Sequence, residues 1–139
     1  MDSPALQLSV VIVNWNTREL LRACLESVRQ HTGGITYEII VVDNDSHDGS
    51  PAMVRQQFPY WRLIENTENL GFAAAVNLAL AADSAPLVAL VNDDALLAPG
   101  WLAATRAELG PEVAAVQGAH GLPTRPDWAP PMKPKLPYS

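Results

Sequence analysis

Short, nearly continuous apolar runs alternate along this chain with stretches whose apolar residues recur at helical spacing. Leu8-Ser9-Val10-Val11-Ile12-Val13 is β-branched and almost uninterrupted, the pattern of a strand covered on both faces. Beyond it, Leu20, Leu21, Cys24, Leu25 and Val28 share one helical face, while Arg18, Arg22, Glu26 and Arg29 take other faces. Asn16, with Glu19 three residues later, has the form of a capping box, and Gly33-Gly34 marks the stop. The plan then repeats. Ile39 to Val42 predicts a strand that runs into Asp43-Asn44-Asp45, and Ser50 and Pro51 suit the cap and first turn of a short helix. Trp61 to Glu65 predicts a third strand, Gly71 to Asp83 an Ala-rich helix, and Leu87 to Val91 a fourth buried strand ending in Asn92-Asp93-Asp94. Pro99 opens another short helix, and Val113 to Val116 suggests a fifth strand.

Strands that alternate with helices need crossover connections, which implies an α/β domain, three layers deep, with a mostly parallel sheet. In open sheets of this kind ligands bind beyond the carboxyl ends of the strands. Three polar clusters would therefore gather at one edge: Asn14-Trp15, Asp43-Asn44-Asp45 and Asn92-Asp93-Asp94. Residues 123–139 differ, with six of the twelve prolines lying between Pro123 and Pro137. Proline lacks the backbone donor that helix interiors and central strands need, so 123–139 reads as an extended tail and 1–122 as the domain.

Composition narrows the function. The 139 residues suit one globular domain, with 48% apolar and 17% charged residues. Nine basic against fifteen acidic residues give a net charge of −6, which argues against a nucleic-acid partner. A single phosphorylated ligand remains compatible, because a metal ion can supply positive charge locally. Cys24 is the sole cysteine, so no internal disulfide can form; its place on an apolar helix face predicts a buried, inert thiol. No run is long and apolar enough for a membrane span, and no signal-peptide pattern opens the chain. Cytoplasmic residence is the expectation, and peripheral contact at the inner membrane stays open.

Asn92-Asp93-Asp94 is the strongest local signal. Carboxylates at the end of a buried strand can hold Mg²⁺ or Mn²⁺, with phosphate oxygens and water completing the shell. The competing reading is a solvated turn. Asp43 could accept hydrogen bonds from a ribose hydroxyl or a base N–H, or simply cap its own loop. Asn44, Asp45, Ser46, Asp48 and Gly49 read locally as turn chemistry. Trp15 could stack on a nucleobase or pack half-buried. Gly71 opens a helix whose amides could receive an anion. Neither G-x-G-x-x-G nor a P-loop occurs, the three histidines show no zinc spacing with Cys24, and no serine sits in a G-x-S-x-G elbow.

Four segments together resemble family-2 glycosyltransferases, in that family's order, over roughly residues 6 to 118. They are Leu8 to Thr17, Val41 to Ser50, Glu68 to Asn77 and Leu90 to Trp101. The flavour is similar to the rhamnosyltransferase-like branch, which builds bacterial polysaccharides. The resemblance implies a Rossmann-like GT-A fold, a nucleotide-diphosphate sugar donor, a glycan or lipid-linked acceptor and a divalent metal, Mg or Mn. It implies Asp94 as metal ligand and Val13, Asn14, Trp15, Asp43, Asn44, Gly71, Asn77, Asn92 and Asp93 as donor-binding residues. Asn92 departs from the strict Asp-x-Asp form, and Val76 stands where many members carry a polar residue.

Transfer in that family is by inversion, with a carboxylate base supplied by the second half of the domain. The chain matches none of that half, and after Glu112 its sole acidic residue is Asp127, in the proline-rich stretch. The expectation is thus a truncated domain that binds a nucleotide sugar and lacks the catalytic base. Its uncovered sheet surface would favour self-association or pairing with another chain. The rival expectation is a non-catalytic nucleotide-binding or partner-docking module. A phosphorelay receiver also uses strand-end Asp residues, but it needs a Lys at a later strand end that is not present.

Overall fold

The computed structural model describes residues 5–83 and 85–108. Within them, β1 (Leu8–Asn14), α1 (Arg18–His31), β2 (Tyr37–Asp43), α2 (Ser50–Gln57), β3 (Arg62–Glu65), α3 (Phe72–Ala82), β4 (Leu87–Leu90) and α4 (Trp101–Glu108) follow one another. The four strands form one sheet in the order β3-β2-β1-β4, and every neighbouring pair is parallel. The expected fifth strand at 113–116 and the tail at 123–139 lie outside the described residues.

The near-continuous apolar runs are explained by two-sided burial. Val10, Ile12, Ile39 and Val41 point into a core built with Leu21, Leu25 and Val28 of α1, Met53 and Val54 of α2, and Leu102 of α4. Val11, Ile40 and Val42 face the other way, against Ala75 and Ala79 of α3. The sheet is thus the middle of three layers, with α1, α2 and α4 on one face and α3 on the other. Each fully buried Leu or Ile contributes about 1.5–3 kcal/mol, so the α1 face supplies most of the cohesion. The α3 face is thinner. Small Ala75 and Ala79 let the helix approach the strands closely, while Val88 and Leu90 of β4 remain 38% and 54% exposed.

Topology fixes where a ligand can sit. The chain steps outward from β1 to β2 and β3, then returns across the sheet to place β4 on the far side of β1. The order therefore reverses between β1 and β4, and such sheets bind ligands in the crevice beyond the strand tips at that point.

Two helix starts differ from expectation. Asn16 does not cap α1, and no capping box forms with Glu19. Thr17 holds the N-cap position without a side-chain bond to the helix, and Asn16 takes a left-handed φ of 52°. The Asn16 Oδ1 instead accepts the His47 amide at 2.8 Å, and Glu19 pairs with Arg22 and Arg18. The first amide of α1, that of Arg18, donates to Asp48 Oδ2 at 2.8 Å. A carboxylate thirty positions away thus does what the local cap was expected to do. In α2, Gly49 is the N-cap with φ 86°, so Ser50 and Pro51 lie one position further into the helix than predicted. Likewise α4 begins at Trp101, after the Pro99-Gly100 turn.

Candidate functional site

The three polar clusters meet, as the topology requires. Asn14 and Asp43 are register partners at the ends of β1 and β2. Continuing the Val11–Leu90 register by three residues brings Asp93 level with Asn14. Side chains complete the join. Asn14 Nδ2 donates to Asp43 Oδ1 at 2.9 Å, and the Thr17 hydroxyl lies 2.6 Å from Asn14 Oδ1 and 2.5 Å from Asp93 Oδ2. One line of polar contacts, Asp43–Asn14–Thr17–Asp93, therefore spans the tips of β2, β1 and β4, with the single Thr17 proton shared between two acceptors.

The β1–β2 end of this line is closed. Asn14 is fully buried, and Asp43 and Asn44 are 2% exposed. Asp43 Oδ2 accepts the Ser46 amide at 2.8 Å, so both of its carboxylate oxygens are engaged internally. The loop-capping role weighed for Asp43 is therefore present, and contact with a nucleoside would fall to its remaining lone pairs. Ser46, whose local pattern is that of a turn, does more than turn the chain. Its hydroxyl accepts Asn14 Nδ2 at 3.3 Å and the Asn16 amide at 2.9 Å, strapping the loop after β2 to the loop after β1. Asn44 bonds inward as well: its Nδ2 donates to the Gly71 carbonyl at 3.2 Å and its Oδ1 accepts Asn66 Nδ2 at 2.8 Å. Val13 packs among the apolar residues on the α3 side of the sheet.

Trp15, by contrast, is 53% exposed. An aromatic ring this open just past a strand tip can stack on a base. Gly71 heads α3 with φ 83° and ψ 172°, a conformation essentially restricted to glycine, and a Cβ there would meet nothing within 4 Å. The backbone is therefore approachable at that helix start. Asn77 lies exposed, six residues along α3 from Gly71, about 9 Å down the helix axis from the strand tips at 1.5 Å per residue. The structure thus does not gather Asn77 with the others.

At the β4 end, Asn92 is exposed, and Asp93 and Asp94 are half-buried. A turn closes here, with the Ala95 amide donating to the Asn92 carbonyl at 3.0 Å. The Cys24 thiol of α1 also reaches that carbonyl at 3.5 Å, so α1 props the turn from below. Burial, followed by the charges of Asp93 and Asp94, pushes the Cys24 pKa up to about 12, so the thiol is inert as expected. Among the described residues no group of three or more His, Cys, Asp or Glu could hold a metal ion. Two adjacent carboxylates nevertheless fit a hard divalent cation that takes its other ligands from phosphate and water. No helix among the described residues is long and apolar enough to cross a membrane.

Comparison with known proteins gives this geometry its context. The model of glycosyl transferase family 2 matches residues 9–130, running into the stretch read as a tail. The glycosyltransferase AglE of Haloferax volcanii is 30% identical over 106 residues, covering 73% of this chain and 35% of that protein. Among solved structures, the mannosyltransferase PcManGT of Pyrobaculum calidifontis, in complex with GDP-Man and Mn²⁺, superposes with a TM-score of 0.63 at 30% identity, covering 70% of this chain and 30% of that one. TarS of S. aureus shares the fold at a TM-score of 0.65 and 20% identity, covering 73% of this chain and 32% of that one. The chain thus spans about a third of the length of these relatives. The matched family model covers most of the sequence, and the parallel sheet carries its polar tips where that fold binds ligands: the chain belongs to glycosyl transferase family 2.

Proposed function

We propose that the chain is the donor-binding part of an inverting glycosyltransferase that moves a sugar from a nucleotide diphosphate to an acceptor hydroxyl in polysaccharide or cell-envelope glycan synthesis. The observation that carries this reading is the line of polar contacts joining Asp43, Asn14, Thr17 and Asp93 at the point where strand order reverses. The GDP-Man and Mn²⁺ held by PcManGT support it by similarity. Assignment to the rhamnosyltransferase-like branch rests on the motif segments alone.

In this reading Trp15 stacks on the base, and the Asp43–Ser46–Asn14 network holds the floor beneath the nucleoside. The open backbone at Gly71 receives the diphosphate side of the donor. Asp94, with Asn92 and Asp93 beside it, holds Mg²⁺ or Mn²⁺. Such a cation, when bound, neutralises charge on the departing diphosphate. The acceptor oxygen forms its bond to the anomeric carbon as the bond from that carbon to the diphosphate oxygen breaks. The hydroxyl proton passes to a carboxylate base. We assign that base to sequence beyond this donor-binding part, and to none of the described carboxylates. The acceptor is a glycan or lipid-linked hydroxyl, and the site of action is cytoplasmic or at the inner face of the membrane. Among the described residues no strand pairs with the outer edge of β4, and Leu87–Leu90 carries no charge or proline to blunt pairing, which supports self-association through that edge.

Titration of the 139-residue chain with UDP, GDP and dTDP, each with and without Mn²⁺, tests the reading through tryptophan fluorescence. At least one of them should bind, and more tightly with Mn²⁺. A folded chain that binds none of them at millimolar concentration would overturn it.

A further inference from the structure

Thr17 occupies the N-cap position of α1, where a threonine hydroxyl ordinarily bonds to an amide of the helix's first turn. Here it makes no such bond. The helix's first amide is served instead by Asp48, from the loop after β2. The Thr17 hydroxyl is thereby released from local use, and it reaches 76 residues along the sequence to Asp93 Oδ2. Its other neighbour is Asn14 Oδ1, at 2.6 Å. The orientation of the Asn14 amide is fixed, because its Nδ2 donates to the Asp43 carboxylate. Thr17 therefore faces two acceptors with a single hydroxyl proton. Through Thr17 the buried network of β1 and β2 touches the acidic turn after β4.

We propose that Thr17 is a positioning residue for the divalent cation: it anchors Asp93 and so sets the Asn92–Ala95 turn that presents Asp94. This rests on the donor-binding reading above and extends it to a residue outside the acidic motif. Partners that orient a metal's ligands ordinarily account for about 10–100-fold in metal affinity. A hydroxyl that only stabilised the loop would change the melting temperature and leave cation affinity alone.

The test is Mn²⁺ affinity of the full chain in the presence of the nucleoside diphosphate it binds best, read from the electron paramagnetic resonance of free Mn²⁺. Thr17→Val should weaken Mn²⁺ binding about 10-fold. Its metal-free nucleotide affinity should fall by less than its Mn²⁺ affinity, because Trp15 and the Asp43–Ser46–Asn14 bonds remain and the network loses only the contact at Asn14 Oδ1. Thr17→Ser, which keeps the hydroxyl, should restore the cation affinity. In an Asp93→Ala background, Thr17→Val should add little, since the acceptor it would lose is already gone. Should Thr17→Val not fold, Thr17→Ala is read the same way. Unchanged Mn²⁺ affinity in the hydroxyl-free variant, with a lowered melting temperature, would overturn the proposal while leaving the donor-binding reading intact. A wild-type chain that binds no nucleoside diphosphate with Mn²⁺ would overturn both.

Discussion

The tips of β1 and β2 and the tip of β4 lie side by side, carry similar residues and are built in opposite ways. Asn14, Asp43 and Asn44 are almost wholly buried, and each makes side-chain bonds to the neighbouring loops. Asn92, Asp93 and Asp94 are half-buried or exposed, on a turn propped by α1 and Thr17. Polarity at a strand tip is therefore two different things. Where the group is buried, its hydrogen bonds must be met inside the protein, and it becomes scaffold. Where it stays open, its oxygens can serve a ligand. The cost of removing it should then fall on function rather than on folding.

The largest effect that would sharpen this contrast is expected at Asp94. On the proposed donor-binding reading, Asp94→Ala should slow transfer about 10²–10³-fold in an active enzyme that contains this domain, the range for losing one preorganised electrostatic group. Its folding stability should stay within about 0.5 kcal/mol of wild type, as for other substitutions outside the core. Initial rates at saturating donor, beside urea denaturation of the same protein, measure both. A strongly destabilised Asp94→Ala that retained its rate would break the comparison.

The reverse balance is expected at Asp43. Asp43→Ala takes the acceptor from one hydrogen of the buried Asn14 Nδ2, which keeps only its bond to the Ser46 hydroxyl, and from the partly buried Ser46 amide. Each orphaned group costs about 1–3 kcal/mol, so the variant should lose about 3 kcal/mol in urea denaturation, a large part of a small domain's stability. If Asp43→Ala unfolded at the wild-type urea midpoint yet lost all nucleotide binding, Asp43 would belong with the ligand contacts instead.

The same contrast explains what the sequence made legible. The β-branched runs of β1 and β2 announced two-sided burial, and the alternation of strands with helices announced the parallel sheet. The rule for such sheets then brings Asn14, Asp43 and Asp93 to one edge from the sequence pattern. What escaped was long-range hydrogen bonding. Asn16 and Glu19 have the spacing of a capping box, but nothing near them in sequence announces that Asp48 takes the Arg18 amide. Ser46 looked like turn chemistry because a serine's partner thirty residues away leaves no local pattern. Thr17 fell inside a motif segment, yet its link to Asp93 exists only once β4 returns beside β1. Periodicity records which face is apolar; it does not record which hydroxyl meets which carboxylate.

Asp48 offers the smallest effect and the sharpest test of that long-range capping. Its Oδ2 accepts the first amide of α1, and its Oδ1 accepts the amide of Ser50, the first residue of α2, together with the Ser50 hydroxyl. One carboxylate thus serves the positive ends of two helix dipoles. Burial alone would raise its pKa, but the bonds from the Ser50 hydroxyl and from the Arg18 and Ser50 amides outweigh it, and the pKa lies below the ordinary 3.8. A carboxyl lowered on folding stabilises the fold at pH values above its unfolded pKa, about 3.9, and loses that contribution as pH falls through the folded value. At neutral pH, Asp48→Ala should cost about 1 kcal/mol, typical of losing a helix cap. The difference between wild type and variant should narrow as pH is lowered from about 5 to about 3. Urea denaturation of both proteins across that range measures it. A difference that held constant down to the lowest pH would mean that the ionised carboxylate is not what joins the two helix starts.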